Sequence, residues 1–159
     1  MNNVLVTGCS GFIGFHLCLE LLKRNINVFG IDSLNNYYST KLKQDRLKIL
    51  KKNKSFKFSK GNIVNYKYIE KIFKKNNFKK IFHLASQPGV MYSYINPKSY
   101  TNNNVRATEN LAKLSKKYCV KKFIFTSSSS VYGDKKKFPI KENVKLNPKN
   151  YYAKTKIKC

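Results

Sequence analysis

Short apolar runs alternate along this chain with longer stretches whose apolar positions recur at helical spacing. "NVLVTG", starting at Asn3, reads as a buried strand. Phe12–Arg24 follows as a helix with Ile13, Leu17 and Leu21 on one stripe. "NVFGID", "FKFSKGNI", "KKIFHLA" and "KKFIFTSS" are further strand candidates, rich in Phe, Ile and Val. Between them the periodicity predicts helices over Thr40–Lys52, Tyr66–Asn76 and Tyr100–Tyr118. Strands alternating with helices at this spacing imply an α/β fold, a doubly wound parallel sheet covered on both faces. The segment Asp134–Asn150, charged and containing Pro139 and Pro148, reads as a long surface loop. No internal repeat or linker interrupts the pattern.

The length of 159 residues with 42% hydrophobic content is enough for one packed domain. Lys and Arg number 33 against 7 Asp and Glu, a formal charge of +26. Such a balance ordinarily points to nucleic acid or an anionic membrane. The kind of base changes that picture. Arg stands only at positions 24, 46 and 106, whereas base readout and phosphate forks favour Arg. Lysines spread over the whole chain beside abundant Asn, Ile, Tyr and Phe read as drift toward A/T-rich codons. An anionic ligand or polymer is the alternative.

Cys9, Cys18, Cys119 and Cys159 form no C-x-x-C pair and have no His cluster nearby, so neither a metal site nor a disulfide framework is expected. The N-terminus has no basic segment followed by a long apolar one, and no 18-residue apolar run occurs. The expectation is a soluble, cytoplasmic protein with no membrane contact.

The chemistry begins at "VTGCSGFIG", where Gly8, Gly11 and Gly14 recur at steps of three between the first strand and the first helix. A glycine turn there lets backbone N–H groups and the helix N-terminus approach a pyrophosphate. Gly8 permits the tight turn, Gly11 the phosphate approach and Gly14 close packing of helix on strand. The second strand ends in Asp32, at the distance where an acid can hydrogen-bond an adenosine ribose. An acid there repels a 2′-phosphate, which favours NAD over NADP.

The spacing G-x-x-G-x-x-G, with "TGCSGFIG" as its core, resembles the opening of the extended short-chain dehydrogenase/reductase family of NAD-dependent sugar-nucleotide epimerases and dehydratases. The likeness continues through "GIDSLNNYYS", "HLASQPGV", "TNNNVRATENL", "TSSSSVYG" and "YYAKTK" and covers nearly the whole chain. It implies a Rossmann-type fold. It also implies that NAD is held by Gly8, Gly11, Phe12, Ile13, Gly14, Asp32, Asn36, Asn62, Ile63, Leu84, Ala85, Ser86, Asn104, Ser127, Tyr152 and Lys156.

Tyr152 and Lys156 lie four apart, so on a helix both face the same way, a register that Tyr151 does not share. A phenol titrates near 10 and is a poor base at neutral pH, and an ammonium close by favours the phenolate. In a chain so rich in Lys the spacing alone says little. By resemblance it completes a catalytic trio with Ser128, three residues before the V-Y-G. Family dehydratases carry an Asp-Glu pair just before V-Y-G and decarboxylases a Glu, where this chain has Ser129 and Ser130. The resemblance therefore implies 4-epimerisation of a UDP-sugar through a transient 4-keto intermediate. "DSLNNYYSTKLKQDRL" and "QPGVMYSYINP" look most like UDP-glucuronate 4-epimerases and related envelope or capsule sugar epimerases.

Some positions depart from the family. Asn62 replaces a usual Asp, and Met91 stands where the glucuronate enzymes tend to have Arg. His16 and His83 fit the pattern and read as packing or local hydrogen bonding, not as acid/base groups. Family members continue into a substrate lobe, so the expectation for residues 1–159 is a cofactor-binding domain truncated shortly after the Y-x-x-x-K motif. The family dimerises through helices matching Tyr100–Tyr118 and the one beginning near Tyr151. An inactive nucleotide-binding remnant and a basic nucleic-acid binder on the same fold are the rival readings.

Overall fold

The protein is described by a computed structural model over residues 3–159. Strand β1 (Asn3–Thr7) leads into helix α1 (Phe12–Lys23), then β2 (Asn27–Asp32), α2 (Thr40–Lys51), β3 (Phe56–Lys60), α3 (Tyr66–Lys75) and β4 (Phe78–His83). Two single-turn helices follow, α4 (Tyr92–Ile95) and α5 (Pro97–Tyr100). The backbone then widens into a π-helical stretch (Thr101–Arg106) before α6 (Ala107–Lys117). Strand β5 (Lys122–Phe125), a 3₁₀ turn (Ser129–Tyr132) and α7 (Tyr151–Lys158) complete the order.

All strand pairs are parallel, in the order β3-β2-β1-β4-β5. Parallel neighbours need crossovers, and the helical stretches between the strands supply them. The order reverses between β1 and β4, so a doubly wound sheet opens its ligand crevice beyond Thr7 and His83. The central strand is the most apolar: Val4, Leu5 and Val6 are buried. The outer strands β3 and β5 instead expose Lys57, Lys60 and Lys122.

The chain divides into two compact units. The first runs to Ala85 and includes Asn110–Thr126; the second comprises Ser86–Glu109 and Ser127–Cys159. The sheet lies in the first, where Cys18, Leu21 and Leu22 of α1 pack with Leu47 and Leu50 of α2 and with Phe56. Each such side chain contributes about 1.5–3 kcal/mol through burial. In the second unit α7 packs against α4, α5, the π-helical stretch and the 3₁₀ turn.

Two expectations from periodicity change. Ile13 is 60% exposed, and the buried face of α1 is Gly14, Phe15, Cys18, Leu21 and Leu22. The first turn of α1 stands at the carboxyl ends of the strands, where no sheet surface remains for Ile13 to cover. The helix expected over Tyr100–Tyr118 is not uniform, because its wide turn falls on "TNNNVR". Asparagines offer the backbone competing hydrogen bonds and weaken regular α-helix there. No regular element occupies residues 134–150, as expected of a loop.

Candidate functional site

Gly8 adopts φ +73°, and its N–H donates to the Ile31 carbonyl at 2.7 Å. A Cβ at Gly8 would lie 2.8 Å from the Ala85 nitrogen, so the turn after β1 sits directly on the backbone after β4. A Cβ at Gly14 would run into the Gly8 carbonyl oxygen, so α1 begins pressed against the same turn. Gly11 is the N-cap of α1 and supplies no side-chain bond, whereas Ser39, Asn65 and Asn150 cap α2, α3 and α7. The N–H groups of Phe12 and Ile13, in the first turn, therefore have no capping side chain to accept from them. A glycine cradle with an uncapped positive helix end suits a pyrophosphate. Thr7 holds the switch point together: its Oγ1 lies 2.7 Å from His83 Nδ1 and accepts the Ala85 N–H at 3.2 Å. His83 is buried and tied to this bond, while His16 is exposed and stands edge-on to Phe12 and Phe15.

Asp32 ends β2 beside this turn. Its Oδ2 accepts the Ser10 N–H at 3.0 Å and its Oδ1 the Leu34 N–H at 2.8 Å. The carboxylate is thereby fixed in orientation, with acceptor sites left on both oxygens for a ribose diol. Two cations of α2 that sequence reasoning did not single out brace the loop that follows. Lys43 Nζ donates to the carbonyl and side-chain oxygens of Asn35 at 2.6 and 2.7 Å and lies over the Tyr38 ring at 4.1 Å. Arg46 Nη1 donates to the Ser10 carbonyl at 3.2 Å and to the Tyr38 hydroxyl at 3.4 Å. Burial pushes the Lys43 pKa down, and the Asp32 carboxylate partly opposes that. Lys43 has no signal in a chain so rich in Lys. Arg46, one of three arginines, had one.

Further along the first unit, Asn36 and Asn62 are exposed, and Asn62 Oδ1 accepts the Val64 N–H at 2.9 Å. Ile63 is buried, and its carbonyl with that of Val64 accepts from Asn110 Nδ2 at 3.0 and 2.9 Å. Asn110 thus fixes the 62–64 turn, a role its place in the α6 sequence did not announce. Leu84 and Ala85 are half-buried at the end of β4.

In the second unit Asn150 opens α7 by accepting the Ala153 N–H at 2.8 Å. Tyr152 is half-buried and Lys156, one turn on, is buried, which lowers the Lys156 pKa. Between them Thr155 Oγ1 donates to the Tyr152 carbonyl at 2.7 Å and accepts from Asn104 Nδ2 at 3.1 Å. Asn104 Oδ1 in turn accepts the Gln87 N–H at 2.7 Å. Both ends of the Asn104 amide are therefore taken by internal partners, which makes it a strut between the segment after Ser86 and α7. Ser128 Oγ accepts the Ser130 N–H at 3.3 Å and lies 2.8 Å from Ser130 Oγ, capping the 3₁₀ turn on which α7 packs. Ser86 is half-buried and Ser127 exposed. Among the described residues no cluster of His, Cys, Asp and Glu could hold a metal, and no helix is long and apolar enough to cross a membrane.

Residues 5–159 match the family described as GDP-mannose 4,6 dehydratase. The chain belongs to this family. It is a member of the extended short-chain dehydrogenases/reductases, as its motifs implied. A UDP-glucuronate 4-epimerase of Thermodesulfobacterium geofontis is 40% identical over 157 residues, 98% of this chain and 48% of the relative. The crystal structure of UDP-glucuronic acid 4-epimerase from Bacillus cereus, in complex with UDP-glucuronic acid and NAD, superposes with a TM-score of 0.87 at 34% identity. That superposition covers 98% of this chain and 49% of the other. The UDP-Glc/GlcNAc 4-epimerase of Campylobacter jejuni gives a TM-score of 0.91 at 28% identity, over 99% and 46% of the two chains. The chain spans about half the length of the relatives it matches.

Proposed function

We propose that this chain is the cofactor-binding and acid/base part of an NAD-dependent UDP-sugar 4-epimerase. The family carries a dehydratase's name, so the observation that supports one reaction type over the other is local. The 3₁₀ turn against α7 presents the hydroxyls of Ser128, Ser129 and Ser130 and no carboxylate. Expelling water from a sugar needs an acid and a base beside the tyrosine. Hydroxyls at neutral pH supply neither, whereas oxidation and re-reduction at one carbon need only the tyrosine and its lysine.

The first unit supports NAD as the cofactor. Its glycine cradle would take the pyrophosphate and Asp32 the adenosine ribose. When bound, NAD supplies the hydride acceptor that returns what it takes. The chain's own residues do the rest. Tyr152, as phenolate, takes the proton from the sugar 4-hydroxyl and gives it back after the 4-keto sugar has turned. Lys156 places a buried ammonium one turn away on the same helix. Ser128 aligns the reacting oxygen with a hydroxyl that can both donate and accept. UDP-glucuronate is the substrate the sequence likeness favours, with Met91 in place of the usual Arg as the feature to probe.

Exposed lysines stand on α2, α3, α6, α7 and the 134–150 loop alike. This spread supports compositional drift over a nucleic-acid face. The reading is tested by joining this chain to the C-terminal half of the Bacillus cereus enzyme. UDP-glucuronate should then interconvert with UDP-galacturonate without added reductant, at catalytic levels of NAD. Release of a dehydrated sugar in place of an epimer would overturn it.

A further inference from the structure

Asn110 stands on α6, far in sequence from the turn after β3. Its Nδ2 nevertheless donates to two successive carbonyls of that turn, those of Ile63 and Val64, at 3.0 and 2.9 Å. A side-chain amide has two N–H groups, enough for both carbonyls. The turn is pinned from its other sides as well. The Gly61 N–H donates to the Asp32 carbonyl at 3.0 Å, and the Asn65 N–H closes the turn on the Asn62 carbonyl at 3.0 Å. A Cβ at Gly61 would run into the Tyr68 ring, whose hydroxyl donates to Ser59 Oγ at 2.8 Å. All this bracing falls at one place, the carboxyl end of β3 beside Asp32.

With a pyrophosphate at the glycine turn after β1 and a ribose at Asp32 of β2, the next strand outward, β3, is the one left to meet the base. The Val64 N–H is taken by Asn62 Oδ1. The Ile63 N–H, at the corner of the turn, has no protein acceptor among the described residues. We propose that Asn110 is a positioning residue for the adenine base: by holding the Ile63 and Val64 carbonyls it fixes the direction of the Ile63 N–H. The inference rests on the NAD-binding reading and adds the side chain that sets its base end. A fixed donor suits adenine, whose ring nitrogen beside the exocyclic amine is an acceptor. In hypoxanthine the same nitrogen carries a hydrogen, and two donors would face each other. Without Asn110 the two carbonyls lose their donor, the turn is free to rotate, and ordering it again on binding costs affinity.

The test is titration calorimetry of the chain with NAD and with nicotinamide hypoxanthine dinucleotide, which differs from NAD only in its base. Wild type should prefer NAD by about tenfold. Asn110→Asp, equal in size but without an N–H, and Asn110→Ala should each weaken NAD by about tenfold and shrink the preference to about twofold or less. Ala112→Gly, exposed on the same helix, weakens α6 without touching the turn and should leave the preference unchanged. Should both Asn110 variants fail to fold by circular dichroism, Asn110→Ser, with one donor in place of two, serves the same comparison with a smaller loss. A folded Asn110 variant that keeps the wild-type preference overturns the proposal, whatever its stability. So does a wild type that binds the two dinucleotides equally. A wild type that binds neither overturns the NAD reading, and this inference with it.

Discussion

Thr101 Oγ1 lies 2.7 Å from the hydroxyl of Tyr151, and the residues beside them, Tyr100 and Tyr152, meet edge-on with ring centroids 6.1 Å apart. Two successive residues of one helical stretch thus engage two successive residues of α7. Tyr100 is itself immobilised: it is fully buried, and its hydroxyl points at the carbonyls of Pro88 and Gly89, 2.7 and 2.6 Å away. The tyrosine proposed as base is therefore positioned by its neighbour's hydroxyl and by a fixed ring beneath it. Thr101→Val and Tyr151→Phe each delete one hydroxyl of this pair and should each cost about 1 kcal/mol in denaturant unfolding. The double variant should cost scarcely more than either single one, because both remove the same bond. Strict additivity would show that the two hydroxyls act through different partners.

Lys156 should trade stability for chemistry. Its folded pKa is depressed by burial, so the folded protein loses this proton at lower pH than the unfolded chain does. Between the depressed value and 10.5, the ordinary value, the unfolded state binds more protons, and this group makes stability rise with pH. Below that window the full cost of burying an ammonium applies. Lys156→Met removes the cost and should raise the melting temperature at pH 7, with the gain shrinking as the pH approaches 10. Melting curves at several pH values check this. A gain that grows with pH would mean that Lys156 is stabilised by its partners more than it is penalised by burial.

The sheet was legible in the sequence because each strand is a short β-branched or aromatic run closed by a turn signal, from "NVLVTG" to "KKFIF". The glycine turn was legible because backbone geometry there admits nothing else, as the clash of a Gly14 Cβ with Gly8 shows. What stayed hidden has a common cause: it depends on residues brought together by folding. Asn110 fixes the turn after Asn62 from 46–47 positions away in sequence. Lys43 braces Asn35 from within a helix whose other lysines are mostly solvated. The exposure of Ile13 was missed because periodicity says which residues share a face and not where the covering sheet ends.

The glycine cradle yields a sharp test of its own. Gly14→Ala places a methyl against the Gly8 carbonyl oxygen, which is backbone and cannot swing aside. The start of α1 must shift, at a cost of about 1–3 kcal/mol in unfolding free energy. Because the same shift moves the uncapped N-terminus of α1, NAD affinity should fall by about tenfold or more, a larger effect than destabilisation alone would give. Ala112→Gly, on the exposed side of α6, provides the control: it should lower stability by about 1 kcal/mol and leave NAD affinity unchanged. Equal effects of the two substitutions on NAD binding would argue that the cradle holds no ligand.

The catalytic assignment is tested in the same chimera that tests the function. Tyr152→Phe leaves the ring against Tyr100 and deletes only the hydroxyl, so it should preserve folding and NAD binding while lowering turnover by about two to four orders of magnitude. Lys156→Met should also slow turnover, because the reacting tyrosine loses the buried cation one turn away. Ser128→Ala should cost less in turnover, with about 1–3 kcal/mol for one aligning hydrogen bond. It also removes the cap of the 3₁₀ turn, which Ser128 provides through the Ser130 N–H. Ser130→Ala separates the two roles of Ser128, since it keeps the backbone N–H that Ser128 caps and deletes only the hydroxyl beside it. A turnover loss in Ser128→Ala that Ser130→Ala does not share would place the aligning hydroxyl on Ser128. Full activity in Tyr152→Phe would remove the proposed base and leave the fold as the only part of the family likeness still standing.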